Sequence, residues 1–319
     1  MSRVFIDGAS GTTALQIRTL LKPWQEAGTV SLIEIENTRD VDERLAAFKR
    51  ADLSILCLPD EATKETIPLL RDTDTDTRII DASSAYRTDP EWVYGFPEIS
   101  EEQPDVISKA RLVTNPGCFA TGAISILRPL VDASLIDPAQ SHTIFGVSGY
   151  TGGGKRLIER HKAADDAFRA DNAFGLYSVN ARHKHVPEIK KHAGLTATPI
   201  FMPNVISQPR GMIVSVPFNR ASLDGSIADA HKVLEGFYGN EGSMVKVAPI
   251  DPEQRRINFS SFTELNIGDV NPIPYVELHV TGWSQDDDNQ VTIHALLDNL
   301  GKGAGAQVVQ NMALMLGDP

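Results

Sequence analysis

The feature that most narrows the fold sits at the N-terminus. Arg3–Asp7 is a short apolar run of strand type. Gly8-Ala9-Ser10-Gly11-Thr12-Thr13-Ala14 follows it directly, and Thr12–Leu21 then carries apolar residues at helical spacing up to Pro23. A strand that turns into a helix through glycines lets backbone approach closely to whatever sits at the helix start. Unpaired N–H groups and the positive end of the helix dipole there favour a phosphate. The loop is a Gly-x-x-Gly-x-x-Ala variant of the dinucleotide fingerprint, and its strand–turn–helix setting is what separates it from any tight turn that needs glycine. Gly8, Ser10, Gly11, Thr12 and Thr13 are therefore candidate cofactor-binding residues.

The same grammar continues to about residue 115. Strand-like Ser31–Ile35, Leu53–Leu58 and Arg78–Asp81 alternate with helix-like Val41–Arg50 and Asp60–Leu70. Repeated β-then-α units predict a parallel sheet with helices on both faces, an α/β Rossmann domain. Beyond residue 116 the pattern changes. After a helical Phe119–Leu127 come longer β-rich runs, His142–Val147, Pro199–Ser207, Met212–Pro217, Tyr275–Thr281 and Val291–Leu297, which predict an α+β domain with a mixed or antiparallel sheet. Gly303–Leu316 is helical again, and Asp286-Asp287-Asp288 reads as a solvated acidic turn.

Composition excludes several classes. A net charge of −12 offers no electrostatic footprint for nucleic acid and no attraction to anionic membranes, so an anionic substrate needs a locally basic site. No apolar run approaches the length of a membrane span, and the first residues lack the form of a signal peptide. With only 2 cysteines, Cys57 and Cys118, a disulfide framework is not expected; the chain reads as cytoplasmic.

Asn115-Pro116-Gly117-Cys118-Phe119-Ala120-Thr121-Gly122 places Cys118 where a turn meets a helix. A helix start favours the thiolate, the reactive form of cysteine, and supplies N–H groups for a developing oxyanion. Cys57, inside the apolar Ser54–Leu58, reads as a small core side chain. In Asn180–Ile189, His183 and His185 lie two residues apart, as a general acid/base beside a cysteine or as metal ligands. No further Cys/His cluster has ligand spacing, which disfavours a metal. Gly149-Tyr150-Thr151-Gly152-Gly153-Gly154-Lys155-Arg156 matches a P-loop except that Arg156 stands where magnesium needs Ser or Thr; a glycine-rich loop around substrate or cofactor fits better. Acids (Glu34, Glu36) and Arg39 all lie near the end of the second strand, leaving NAD and NADP open on the residues alone.

Taken in order, Gly8–Ala14, Asp81–Arg87, Tyr94-Gly95-Phe96-Pro97-Glu98-Ile99, Asn115–Thr121, Val147–Lys155, Arg182–Ile189, Gln208-Pro209-Arg210-Gly211 and Asp298–Ala304 resemble the short-form N-acetyl-γ-glutamyl-phosphate reductases, within the aspartate-semialdehyde dehydrogenase-like superfamily. The Asn-Pro-Gly-Cys and Tyr-Gly-Phe-Pro-Glu motifs carry the specificity; the cofactor loop is shared more widely. The resemblance implies an NADP-binding Rossmann domain over 1–115 and 299–319, and a catalytic and oligomerisation domain of glyceraldehyde-3-phosphate dehydrogenase type over 116–298. It implies NADP(H), with Arg39 at the 2′-phosphate, a place in arginine biosynthesis, and a homodimer or homotetramer. It implies an acyl-phosphate substrate taken by Cys118 as a thioester, with His183 as acid/base ahead of His185, and Asn299 near the nicotinamide. Arg87, Arg182, Lys184 and Arg210 are candidate cations for the substrate, with His185 beside them. Rival readings are a sister acyl-phosphate reductase, an NADP-binding sensor without turnover, and a P-loop phosphotransferase.

Overall fold

A computed structural model describes residues 1–9, 11–72, 75–163, 173–180, 182–253, 256–257, 274–285 and 288–317. Ser10 and the acidic residues 286 and 287 lie outside the described residues. The chain divides into two compact units, Met1–Pro116 with Ala304–Pro319, and Gly117–Gly303.

In the first unit, β1 (Ser2–Asp7), α1 (Thr12–Leu20), α2 (Lys22–Glu26), β2 (Val30–Ile33), α3 (Val41–Arg50), β3 (Leu53–Leu56), α4 (Asp60–Asp72), β4 (Arg78–Asp81), β5 (Val93–Tyr94), α5 (Gln103–Lys109) and β6 (Leu112–Thr114) follow one another, and the C-terminal helix Ala306–Leu316 rejoins them. The strands form a parallel sheet in the order β2-β1-β3-β4-β6-β5. Strand alternation splits the core between two faces. Val4 and Ile6 join Ile17, Ile55, Val113 and Met312 on one side, while Phe5 packs with Phe48, Leu56 and Ile79 on the other. Local chemistry explains the helix ends. Asp40 caps α3 by accepting the N–H groups of Asp42 and Glu43, and acids in the first turn with Lys49 and Arg50 in the last complement the helix dipole. The first helix ends just before Pro23, as its spacing predicts, with Leu21 as C-cap. The chain then steps into α2, with the proline in the first turn, where its missing N–H costs no hydrogen bond.

The second unit runs α6 (Cys118–Asp132), β7 (Thr143–Gly149), α7 (Gly154–Lys162), β8 (Phe174–Leu176), α8 (His185–His192), β9 (Ile200–Ile206), β10 (Met212–Asn219), α9 (Ile227–Tyr238), β11 (Val245–Val247), β12 (Val276–Gln285) and β13 (Asp288–Leu297). Its sheet is mixed, in the order β11-β12-β13-β10-β7-β9-β8. The apolar α6 lies on one face. Phe119, Ile124, Ile126, Leu127 and Leu130 are each 0–2% exposed, a gross burial gain of roughly 10 kcal/mol before ordering entropy is subtracted. Close approach of helix and sheet requires two glycines: a methyl on Gly122 would stand 2.7 Å from Val214 Cγ2, and one on Gly146 2.5 Å from the Phe119 ring.

The register puts Phe145, Met202, Ser215, His279, Thr281, Trp283 and His294 together on the opposite face. There Phe145, Met202 and Trp283 stay 36%, 37% and 44% exposed, so this sheet presents an open apolar face. Among the described residues no helix is long and apolar enough to cross a membrane.

Candidate active site

Gly117 is the extended N-cap of α6 and, as a glycine, brings no capping side chain of its own, so the first-turn N–H groups lie beside Cys118, the first residue of the helix. The Gly117 N–H itself is taken by Glu188 Oε1 at 2.8 Å, and Glu188 is 1% exposed. Glu188 lies one turn along α8 from His185, so one helix face delivers both an imidazole and a carboxylate to the start of α6. Sequence reasoning passed over Glu188; its i, i+3 spacing from His185 was the available signal.

The neighbour of Cys118 gathers the rings. Phe119 meets the edges of His183, His185 and Phe201 with centroids 6.1, 6.2 and 5.2 Å away, and the two histidine rings are 4.7 Å apart. His183 Nδ1 accepts the His185 backbone N–H at 3.1 Å, which leaves the ring proton of neutral His183 on Nε2. That Nε2 lies 3.4 Å from the Tyr177 hydroxyl. Burial first, and then the negative charge of the Cys118 thiolate, push the Tyr177 phenol above its ordinary range. Phe119, the residue after Cys118, meets the His183 ring, and His183 meets Tyr177, so the start of α6 and these two side chains share one neighbourhood, although no local pattern marked Tyr177. Cys57 behaves as a core residue: burial, followed by Asp81 and Asp7, pushes its thiol up to about 12.

The expected cations separate. Arg182 is exposed, as is Lys184 at the N-cap of α8. Arg210, expected to meet the substrate, is instead 0% exposed and ion-paired with Asp298, because the β10–β13 register brings the residues just beyond Met212 and Leu297 together inside the unit. In the first unit Arg87 is 7% exposed and donates from Nε to the Asn115 carbonyl at 2.9 Å, tying the Ser83–Arg87 loop to the end of β6. Asn299, expected near the nicotinamide, has both amide ends engaged: it accepts the Gly211 N–H at 3.0 Å and donates to Thr151 Oγ1 at 2.9 Å.

The glycine-rich loop is not a phosphate cradle of P-loop type. The N–H groups of Gly149, Tyr150 and Thr151 are given to the carbonyls of Gly211, Gln208 and Pro209 at 2.8, 2.9 and 3.2 Å. Gly149 is required for this pairing, since a methyl there would stand 2.7 Å from the Pro209 oxygen.

In the first unit the turn after β1 does fit a dinucleotide. Gly8 has φ +83°, and a methyl on it would stand 2.5 Å from the Cys57 carbonyl oxygen, so backbone occupies space that a side chain would fill. Gly11 is the N-cap of α1, again with no capping side chain, leaving the N–H groups at Thr12 and Thr13 directed out of the helix start. At the end of β2, Glu34 is held by two hydrogen bonds from Arg18 at 2.6 and 2.9 Å, which lower its carboxyl from the ordinary range. Arg39 is exposed on the same connection.

Family models divide the chain along similar lines. Residues 3–107 match the semialdehyde dehydrogenase NAD binding domain, and residues 118–299 match the semialdehyde dehydrogenase dimerisation domain. The architecture agrees: aspartate semialdehyde dehydrogenase II from Vibrio cholerae superposes with a TM-score of 0.68 at 16% identity, over 100% of this chain and 99% of that one. Aspartate semialdehyde dehydrogenase with NADP from Candida albicans does so with a TM-score of 0.65 at 13% identity, over 100% of both. Fold and site together thus define a two-domain dehydrogenase of the semialdehyde dehydrogenase class.

Within that class the sequence is nearer to a different branch. The N-acetyl-gamma-glutamyl-phosphate reductase of Brucella ovis is 44% identical over 318 residues, 99% of each chain, and that of Brucella anthropi is 44% identical over 319 residues, covering 99% of this chain and 98% of its own. The chain belongs to the N-acetyl-gamma-glutamyl-phosphate reductase family.

Proposed function

We propose that this chain reduces N-acetyl-L-glutamyl 5-phosphate to N-acetyl-L-glutamate 5-semialdehyde with release of phosphate, as a step of arginine biosynthesis in the cytoplasm, through a thioester on Cys118. The observation that carries the reading is the gathering of the start of α6, where Cys118 is the first residue, with His183 and Tyr177 through the Phe119 ring. The Cys118 thiolate attacks the acyl carbonyl, and the N–H groups of the first α6 turn stabilise the developing oxyanion. Phosphate leaves and the acyl group stays on Sγ. Gly8, Gly11, Thr12 and Thr13 would hold NADPH, with Arg39 the candidate for its 2′-phosphate, and the bound cofactor would supply the hydride. His183 Nε2 gives its proton to the thiohemiacetal oxygen and takes it back as the C–S bond breaks, which frees the semialdehyde and restores the thiolate. Arg182 and Lys184 are the cations assigned to the anionic substrate, with His185 orienting His183.

The open sheet face of the second unit supports self-association, and we assign it to a homodimer, the building block of any tetramer. The function is tested by NADP reduction with N-acetylglutamate semialdehyde or aspartate semialdehyde, each with and without phosphate. Phosphate-dependent turnover of the N-acetyl substrate is expected. Cys118→Ala should abolish it while NADPH binding stays measurable; retained turnover removes the thioester, and preference for aspartate semialdehyde removes the substrate assignment.

A further inference from the structure

Two residues that follow β13, Asp298 and Asn299, fasten segments that are far apart in the chain. Asp298 and Arg210 are both 0% exposed. Arg210 Nε donates to Asp298 Oδ1 at 3.1 Å, and its Nη2 donates to Oδ2. Oδ1 also takes the Leu300 N–H at 3.0 Å, while the Asp298 carbonyl takes the N–H groups of Gly301 and Gly303 at 3.0 and 3.1 Å. Beside it Asn299 joins Gly211 to Thr151, whose hydroxyl donates to the Pro209 carbonyl at 2.5 Å. The turn held in this way ends on the nucleophile: a methyl on Gly303 would stand 2.8 Å from Cys118 Cβ and 3.3 Å from its Cα.

A buried ion pair adds little stability relative to apolar packing, because desolvation offsets most of its attraction. What it does add is a fixed arrangement of the segments it joins. We infer that Asp298 is a positioning residue for Cys118: its side chain locks the Arg210 loop, and its carbonyl locks the Gly301–Gly303 backbone as the wall behind the Cys118 side chain. A nucleophile moved by a fraction of an ångström loses alignment with the acyl carbon, and a displacement of about 1 Å costs on the order of 100-fold in rate. The inference rests on Cys118 being the acyl acceptor, as proposed above.

Gly303→Ala and Asp298→Asn test it. Each is compared with wild type for the rate of Cys118 alkylation by iodoacetamide, read by peptide mass spectrometry with Cys57 as internal reference, and for kcat, KM and NADPH affinity. The expected result for Gly303→Ala is an alkylation rate changed about threefold or more and a kcat lowered roughly 10- to 100-fold, with KM and the NADPH Kd within about threefold. Asp298→Asn should move the same quantities in the same direction. If Asp298→Asn does not accumulate as folded protein, Arg210→Lys, which loosens the same pair, takes its place. Folded Asp298→Asn or Arg210→Lys with alkylation and kcat both within twofold of wild type overturns the inference, as does Gly303→Ala unchanged in both. Alkylation reports the placement of Cys118 without turnover, so failure of the thioester mechanism itself shows separately, as activity surviving in Cys118→Ala.

Discussion

Removing the Glu188 carboxylate should weaken the protein and the site together, in proportions that the structure sets. Glu188 is 1% exposed and accepts the Gly117 N–H at 2.8 Å, joining α8 to the residue before Cys118. Glu188→Ala removes a hydrogen bond to a charged acceptor, worth about 1.5–3 kcal/mol, and leaves a buried N–H without an acceptor in a small cavity. The sum is about 3 kcal/mol, which for a unit of this size lowers Tm by roughly 6–12 °C. Glu188→Gln keeps an amide oxygen for the Gly117 N–H and should cost only about 1 kcal/mol. Thermal unfolding of the three proteins, followed by circular dichroism, reads the stability order. Steady-state kinetics at a temperature where all are folded reads the site, where kcat should fall more than tenfold for Ala and less for Gln. Glu188→Ala with a Tm within 1 °C of wild type and an unchanged kcat would refute the claim that this contact holds α8 to α6.

Gly8→Ala forces a side chain into a backbone conformation of φ +83° and into the Cys57 carbonyl, so the NADPH Kd, measured by fluorescence titration, should rise at least about tenfold; an unchanged Kd would remove the Gly8 turn from the cofactor site. His294 sits on the open sheet face between Ser215 and Thr281, at 2.8 and 3.0 Å, and burial, then the neighbouring His279 charge, lower it to about 4. A histidine held below its unfolded value of about 6.5 is neutral in both states at pH 7, so the protein loses stability as pH falls from about 6.5 to 4, where only the unfolded chain takes the proton. The full shift corresponds to roughly 3 kcal/mol, reduced to about 2 kcal/mol by partial exposure. Urea midpoints between pH 7 and 4 should fall less for His294→Gln than for wild type, and parallel slopes would contradict the assignment. Trp283→Glu places a charge on that same face and should shift sedimentation toward the monomer while leaving the circular dichroism spectrum unchanged; an unaltered sedimentation coefficient would move the interface elsewhere.

Much of the fold was legible because its signals act within one turn of chain. Asp40 caps α3 with its own neighbours, and Gly8 and Gly11 shape the turn between β1 and α1. Pro116 and Gly117 end one segment and start α6, so the position of Cys118 at a helix start could be read directly. The contrast between the cysteines was equally local, since Cys57 follows a strand whose residues are all buried. The least visible pieces were the short β5 and α5, which have too few residues to show a period.

The site divides in the same way. Local sequence patterns picked out the candidates for the chemistry: a thiol at a helix N-terminus, two histidines two apart, and a glycine turn ready for a pyrophosphate. What each of them meets is set by the tertiary fold. The Gly117 N–H finds Glu188 across 71 positions, and Arg210 finds Asp298 across 88. Tyr177 and His183 are only six residues apart, yet both are fixed by β9, since the Tyr177 N–H is given to the Pro203 carbonyl and the His183 ring meets Phe201. Such pairings are set by strand register and by the packing of α6 on its sheet, and neither leaves a mark in any short window of sequence. An arginine read as a candidate cation for the substrate is for that reason a buried half of an ion pair, while a glutamate that the sequence reading passed over holds the start of the helix that carries Cys118.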